Sequence, residues 1–432
     1  MSRRKRSPGR LTAGAAEVDI TPPVGTGMVG GLQPRPSTGV DDPLFAKALV
    51  VEANGVHVAC VQLDIALLPR SLGDPCVRLA SERTGIPADH IIWTTSHTHT
   101  GPITEAEAYP DDDTSREMKW TALLPGKFAE AVMKADAARQ PVSVSRVRGY
   151  CDSVMANRRF RYKDGREINR WLQNRGEDDV QCLGSAAPID PEVAALCFDN
   201  KHGRPVVILW TFACHANAGF GAGLSADYPA IVAARFRKQF GKDVTSLYLP
   251  GACGDVNPLL PYREIGSRLA DVLIGQLETR KPMKGPVVLD ACRKDVVVPF
   301  RKFRSDDAKR QRESQWDPVC QKWFTRQLAQ LRKKGKTSAN SFVQAFRIGD
   351  TGFVTLPGEL FVQWGLHLKE KSPFPWTFPV ELSGDYLGYL VTEQAYRAGG
   401  YESLYSWAAR PSVKGVRHLV TSGLACLKKL WR

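Results

Sequence analysis

Four short apolar runs in this chain each stop at a turn, and the residues just past each stop include an imidazole or a carboxylate. Ile91-Ile92-Trp93-Thr94-Thr95 runs into Ser96-His97-Thr98-His99-Thr100-Gly101-Pro102, and the run 206–213 ends at Cys214-His215. Leu247-Tyr248-Leu249 meets Pro250-Gly251-Ala252-Cys253-Gly254-Asp255-Val256-Asn257, and Phe353-Val354-Thr355-Leu356 meets Pro357-Gly358-Glu359. Runs this short, rich in β-branched and aromatic residues and bounded by Gly and Pro, read as buried strands. Sheets of α/β proteins build their sites in the crevice beyond strand ends. A chain punctuated in this way is therefore constrained to fold as a sheet whose exits converge.

Further strand signals fall at 47–53 and 57–63 around the hairpin pair Asn54-Gly55, and at 142–147, 244–249 and 287–298. Between them Val232, Phe236 and Phe240 recur at helical spacing, as do Ile265, Leu269, Val272 and Leu273. The alternation predicts an α/β fold with mixed β-sheets flanked by helices. Residues 1–15 read as a basic flexible N-terminus and 16–432 as one catalytic-type domain. Segments 105–120 and 158–179 read as long loops that either shape a pocket or lie on the surface. Residues 301–336 read as a basic surface helix. The last 17 residues form an amphipathic pattern, expected to dock on its own domain; the alternative is peripheral contact with an anionic membrane.

The chain has 432 residues and a formal net charge of +14. That charge suits anionic partners but comes with no nucleic-acid module, so specific nucleic-acid binding is not expected. Ten cysteines are scattered without a C-x-x-C pair, which reads as packed thiols in a reducing compartment. Residues 1–8 are basic, but no apolar segment follows, and no run reaches the length of a membrane span. The expected location is the cytoplasm.

On a strand, residues i and i+2 share a face, so His97 and His99 can point into one crevice. Imidazole is the commonest zinc ligand and the usual general base near neutral pH. His97, His99 and His215 share one kind of location, and with Glu359 they make the donor set of a catalytic metal. Each has a plainer reading as well: Glu359 as a helix-start acid, Asp255 and Asn257 as turn residues, and Ser225 and Asp227 as caps for the helix after Pro229.

These motifs, in this order, resemble the neutral/alkaline ceramidase family. The matching segments are Val18-Asp19-Ile20-Thr21-Pro22-Pro23, Asp42-Pro43-Leu44, Thr95 to Pro102, Ala156-Asn157-Arg158, Cys214-His215-Ala216, Ser225-Ala226-Asp227-Tyr228-Pro229, Gly254 to Pro258, Leu356 to Glu359, and Tyr386 to Thr392 followed by Tyr401-Glu402. The resemblance implies a ceramidase-like catalytic domain with one catalytic zinc ion held by His97, His215, Glu359 and Tyr389, with Tyr386 the alternative to Tyr389. It implies that His99, Arg158 and Tyr401 contact the scissile carbonyl and that Ser225 lies near the reacting centre. The implied reaction is hydrolysis of a linear N-acyl amide such as ceramide or another N-acyl lipid.

Two departures from the family's long members bear on the substrate. No counterpart of the C-terminal β-sandwich of those members is expected, and Ser225-Ala226-Asp227 stands where they have Ser-Gly-Asp. An amidase, esterase or deacylase for a small polar metabolite is the second expectation, and a non-catalytic ligand-binding descendant the third.

Overall fold

A computed structural model describes residues 11–31, 33–109, 112–169, 181–219, 221–303 and 318–432. Eight strands form the main sheet: Thr12–Asp19 (β1), Phe45–Ala53 (β2), Val56–Leu63 (β3), Ile91–Thr95 (β4), Gln140–Tyr150 (β5), Glu192–Asn200 (β6), Pro205–Phe212 (β7) and Thr245–Pro250 (β8). Their order is β8-β7-β6-β5-β1-β2-β3-β4. The helices used below are Arg70–Thr84 (α1), Leu124–Ala137 (α2), Tyr228–Phe240 (α3), Tyr262–Glu278 (α4), Pro318–Lys334 (α5), Val362–Lys371 (α6) and Val413–Trp431 (α7).

Pairing is antiparallel except at the two edges, where β3 with β4 and β7 with β8 are parallel. Parallel neighbours need a crossover, and α1 and α3 supply the two. Side chains alternate between faces as strand geometry demands. Along β2, Ala46, Ala48 and Val50 face the helices, while Leu49, Val51 and Ala53 face the other way. Helices α1 and α2 cover one arm of the sheet, and α3 and α4 cover the other.

β4 and β7 run in opposite directions, yet their exits meet. Strands twist by roughly 20–25° per step, so six steps from β4 to β7 rotate the chain direction by more than about 120°. The sheet curls accordingly, and β8 lies back against β2, β3 and β4.

The second sheet contains Leu289–Pro299 (β9), Ser338–Ile348 (β10), Thr351–Thr355 (β11) and Trp376–Val380 (β12), in that order. One face closes the core inside the curl: the Phe346 and Phe353 rings stack at 4.1 Å, and Phe378 meets Phe353 edge-on at 5.0 Å. The other face is covered by α7, whose Val416, Leu419, Val420 and Leu427 are buried against Val298, Val343 and Val354. Each such burial stabilises by about 1.5–3 kcal/mol. The terminal helix is thus docked on its own domain, as its pattern predicts, and its apolar stripe is occupied.

The expected hairpin at Asn54-Gly55 is present, with both residues at positive φ. Three readings need correction. β1 starts at Thr12, so ordered structure begins before residue 16. The basic segment 301–336 is no simple surface helix: α5 buries Phe324 and Gln327, while 304–317 lies outside the described residues. Segment 158–169 is partly strand, with Arg159–Tyr162 pairing Glu167–Asn169; 170–179 is outside the described residues, as is Asp111 of the acidic segment. Nine described cysteines are free thiols, eight of them buried, as packed thiols should be. No helix among the described residues is long and apolar enough to cross a membrane.

Candidate active site and metal centre

The chain leaves β4 and turns sharply at His97, which has φ of 62°. That left-handed conformation is strained for a residue with a Cβ, and such strain collects at functional sites. The turn is held from two sides. Ala66 O accepts from His97 Nδ1 at 2.9 Å, and the carbonyl of Ser225 accepts from the hydroxyls of Thr98 at 2.6 Å and Thr100 at 3.0 Å. Gly30 lies so close that a Cβ there would sit 2.5 Å from His99 Cβ. His215, past the end of β7, donates from Nδ1 to Cys253 O at 2.6 Å.

A carbonyl can only accept, so each of these Nδ1 atoms carries hydrogen, and a neutral ring keeps its lone pair on Nε2. Both Nε2 atoms face the same oxygen: Glu359 Oε2 is 3.4 Å from that of His97 and 3.3 Å from that of His215. That oxygen is buried and accepts no hydrogen bond. Arg158 Nη1 reaches His215 Nε2 at 3.3 Å, but Oε2 itself has no donor, a deficit that a cation or a shared proton would offset. A divalent ion fits this donor set.

His99 joins the cluster, its Nε2 3.5 Å from that of His97. The ligand atoms of His97, His99 and His215 all lie within 4.8 Å of one another. Geometry alone therefore does not separate His97 from His99 as sharply as the family resemblance does. Their electrostatics differ. Burial lowers the His99 pKa, and the positive charge of His97 and His215 lowers it further. Burial also opposes charge on His97, but Glu359 outweighs it and raises that pKa. His215 is brought down to about 4 by burial and by Arg158.

Glu359 follows β11. Gly358 lets its strand approach the one carrying Tyr389, since a Cβ on it would sit 2.3 Å from Gly388 O. The two short strands pair Glu359 with Tyr389. The Tyr386 hydroxyl donates to Glu359 Oε1 at 2.7 Å, so it orients the carboxylate and is already committed. Burial opposes the Glu359 charge, but His97 and His215 together hold its pKa well below the usual range.

The Arg158 guanidinium reaches the same point. It donates to Glu402 at 2.8 Å, Gly254 O at 2.8 Å and Asn257 at 3.1 Å, and lies 3.3 Å from His215 Nε2. Glu402 also takes Arg159 at 2.6 Å and Asn169 at 2.9 Å, so the fork of Arg158 is fixed from behind. Tyr401 sets its ring edge-on to Tyr389 at 5.7 Å.

His97, His99, Arg158, Glu359, Tyr389 and Tyr401 line a cavity of about 550 Å³, while His215 is fully buried against them. Its lining also includes the aromatic residues Tyr109, Trp323 and Trp407. Trp323 comes from α5, which donates to Ala108 O at 3.2 Å and so clasps the 106–108 turn. The segments read as long loops thus do shape the pocket, through Ala108 and Tyr109.

Solved structures share this fold. The chain superposes on neutral ceramidase from Pseudomonas aeruginosa with a TM-score of 0.73 at 16% identity, covering 98% of this chain and 75% of that one. The fold is that of neutral ceramidase. A ceramidase complexed with C2 matches with a TM-score of 0.72, again at 16% identity, covering 98% of this chain and 76% of the other. No family model matches the sequence, and no curated protein sequence does. The ceramidase fold is thus visible in three dimensions where sequence comparison finds nothing.

On this fold, seven of the eight residues implied by the resemblance gather at one place: His97, His99, Arg158, His215, Glu359, Tyr389 and Tyr401. Ser225 does not line the cavity. Its hydroxyl donates to Asp42 at 2.6 Å and accepts from Asp227 N at 3.0 Å, while its carbonyl braces the His97–Thr100 turn. These contacts make it part of the framework that holds the turn. Ser225→Ala is expected to lower kcat by about tenfold or less, whereas loss of a nucleophile costs on the order of 10⁶-fold. Steady-state rates decide between the two.

Asp227 caps α3 as the sequence predicts, with its carboxylate accepting from Tyr228 N at 2.7 Å and Gly219 N at 2.8 Å. Burial nevertheless pushes its pKa up from 3.8 to about 7. Folding therefore favours the protonated form. The stability this contributes is full below about pH 4 and is lost as pH rises to about 7, by a few kcal/mol. Asp227→Asn is expected to flatten that part of the pH–stability curve in denaturant titrations. An unchanged slope would refute the assignment.

Four acids and amides escaped assignment from sequence. Glu402 and Asn257 fix Arg158. Asp255 accepts from Val362 N and Asn157 at 2.8 Å each. Glu381 accepts from the backbone of Cys253 and Leu360, tying the loop that holds the His215 ring to the strand that carries Glu359. Glu381 directly follows β12, so the strand-exit rule would have found it had β12 been recognised.

Proposed function

We propose that the protein is a zinc-dependent hydrolase of linear N-acyl amides, with ceramide or another N-acyl lipid as the nearest substrate. The observation that carries this is the convergence of His97 Nε2, His215 Nε2 and the unbonded Glu359 Oε2 beside a cavity whose lining includes aromatic residues. The ion would be held by these three residues, with Tyr389 as fourth ligand because Tyr386 is engaged with Oε1. A bound zinc ion supplies Lewis acidity and a water of lowered pKa.

The chain's own residues do the rest. Arg158, permanently charged and held by Glu402, points donors at the place where an amide oxygen would gain negative charge. His99, kept neutral at physiological pH, accepts a proton and passes it to the leaving amine. Tyr401 orients the carbonyl, and the aromatic lining residues take the acyl chain.

The test is metal analysis of the purified protein together with fatty-acid release from a panel of N-acyl amides and matched esters. Zinc at one equivalent and release from amides are expected. His99→Ala should keep the metal and lose turnover; if it loses the metal instead, His99 is a ligand. Metal-free active protein, or hydrolysis of esters alone, would sink the reading. A second reading is favoured by size: about 550 Å³ is mid-range for one small molecule. Turnover of short water-soluble amides with none of ceramide would establish that alternative.

A further inference from the structure

The positive charge that the reaction leaves unused has a definite place in the fold. Asp350 and Trp376 lie at the starts of β11 and β12, whereas Glu359 and Glu381 follow their ends. At this opposite end of the second sheet is a cleft of about 850 Å³, larger than the reaction cavity. Six cations line it: Arg146 and Arg148 from β5, Arg347 from β10, and Arg280, Lys281 and Lys284 from the segment after α4.

Asp350 is the one carboxylate among the lining residues, and it pairs with Arg146. Glu192 and Asp199 hold Arg148 and Arg280 from behind, at 2.6 Å each. Positive charge therefore exceeds negative by three, counting six cations against these three carboxylates.

The four guanidiniums are fixed before any ligand arrives. Arg148 lies 4.1 Å and Arg146 5.0 Å from the centroid of the Trp376 ring. Arg347 donates to the carbonyls of Gly349 and Leu430. Each guanidinium has five N–H groups, and these partners use only some of them. Asp199 takes the Nε/Nη2 fork of Arg280 and Gly349 O that of Arg347, so what remains for a ligand is single N–H groups on fixed guanidiniums, which suit phosphate oxygens at little further cost in side-chain freedom. Lys281 and Lys284 stand exposed on the rim, and Met283 and Val287 add apolar wall.

We propose that this cleft binds a small phosphorylated anion, with its phosphate on the arginine N–H groups and its remainder against Trp376. The concave shape selects a molecule of metabolite size over a flat membrane surface.

The test uses inorganic pyrophosphate as probe, titrated calorimetrically into the full-length protein near physiological ionic strength. Saturable binding is expected. The double variant Lys281→Glu/Lys284→Glu should weaken it by about tenfold or more, through loss of two cations at the rim. Lys119→Glu/Lys134→Glu, which changes net charge equally on a distant face, should leave affinity within twofold. Amide hydrolysis without pyrophosphate should be the same in all three proteins. The proposal is overturned if pyrophosphate does not bind, or if both double variants weaken it equally. Binding to phosphatidic acid vesicles without binding to pyrophosphate would also overturn it.

Discussion

Glu359→Ala is expected to leave the protein without stoichiometric metal and without measurable amide hydrolysis. Among the described residues, the carboxylate supplies the only anionic oxygen facing both His97 Nε2 and His215 Nε2. Its removal also takes away the main influence that raises the His97 pKa against burial. The Tyr386 hydroxyl loses its acceptor, costing about 1–3 kcal/mol if no water replaces it. Glu359→Gln separates the effects, since it keeps the shape and the acceptor but not the charge. Metal content by elemental analysis, read beside the melting temperature, is the measurement. Wild-type metal content in a folded Glu359→Ala protein would show that the ion, if any, is held elsewhere.

Arg158→Ala should lower kcat by about 10²–10³-fold with a much smaller change in KM, the usual consequence of removing one preorganised donor to a developing oxyanion. The fold should survive, because Glu402 retains Arg159 and Asn169 as partners. Arg158→Lys keeps the charge but loses the planar fork held by Glu402, Asn257 and Gly254, so it should recover only part of the rate. A rise in KM at constant kcat would move Arg158 from catalysis to ground-state binding.

The parts of the site legible in the sequence share one property: each sits directly after an apolar strand with a strong local signature. His97, His215 and Glu359 could be picked out because Ile91–Thr95, Pro205–Phe212 and Thr351–Thr355 are unmistakable runs. Glu381 was missed with its strand, Trp376–Val380, which contains Pro379 and follows Pro373 and Pro375. Glu192–Asn200 was missed because Glu, Ala and Leu favour helix, and its neighbours in the sheet override that preference. Ser225 reads two ways, as a residue near the reacting centre and as a helix-start residue. Its position in a motif is read correctly, but only the fold shows that Asp42 holds its hydroxyl and that its carbonyl does the bracing. The split between His97 and His99 rested on family likeness, and what supports it physically is the shared focus of His97 and His215 on Glu359 Oε2.

The curl of the main sheet has a kinetic consequence. Residues that meet at the metal position come from near the first, second and last quarters of the chain, so their contacts are strongly non-local, and non-local contacts form late and slowly. β4 and β7 can bring their exits together only after the strands between them have paired and twisted. Refolding should therefore recover secondary structure well before it recovers metal affinity. The ion would act as a late lock on a nearly finished molecule, leaving a nicked or partly assembled chain with little hold on metal.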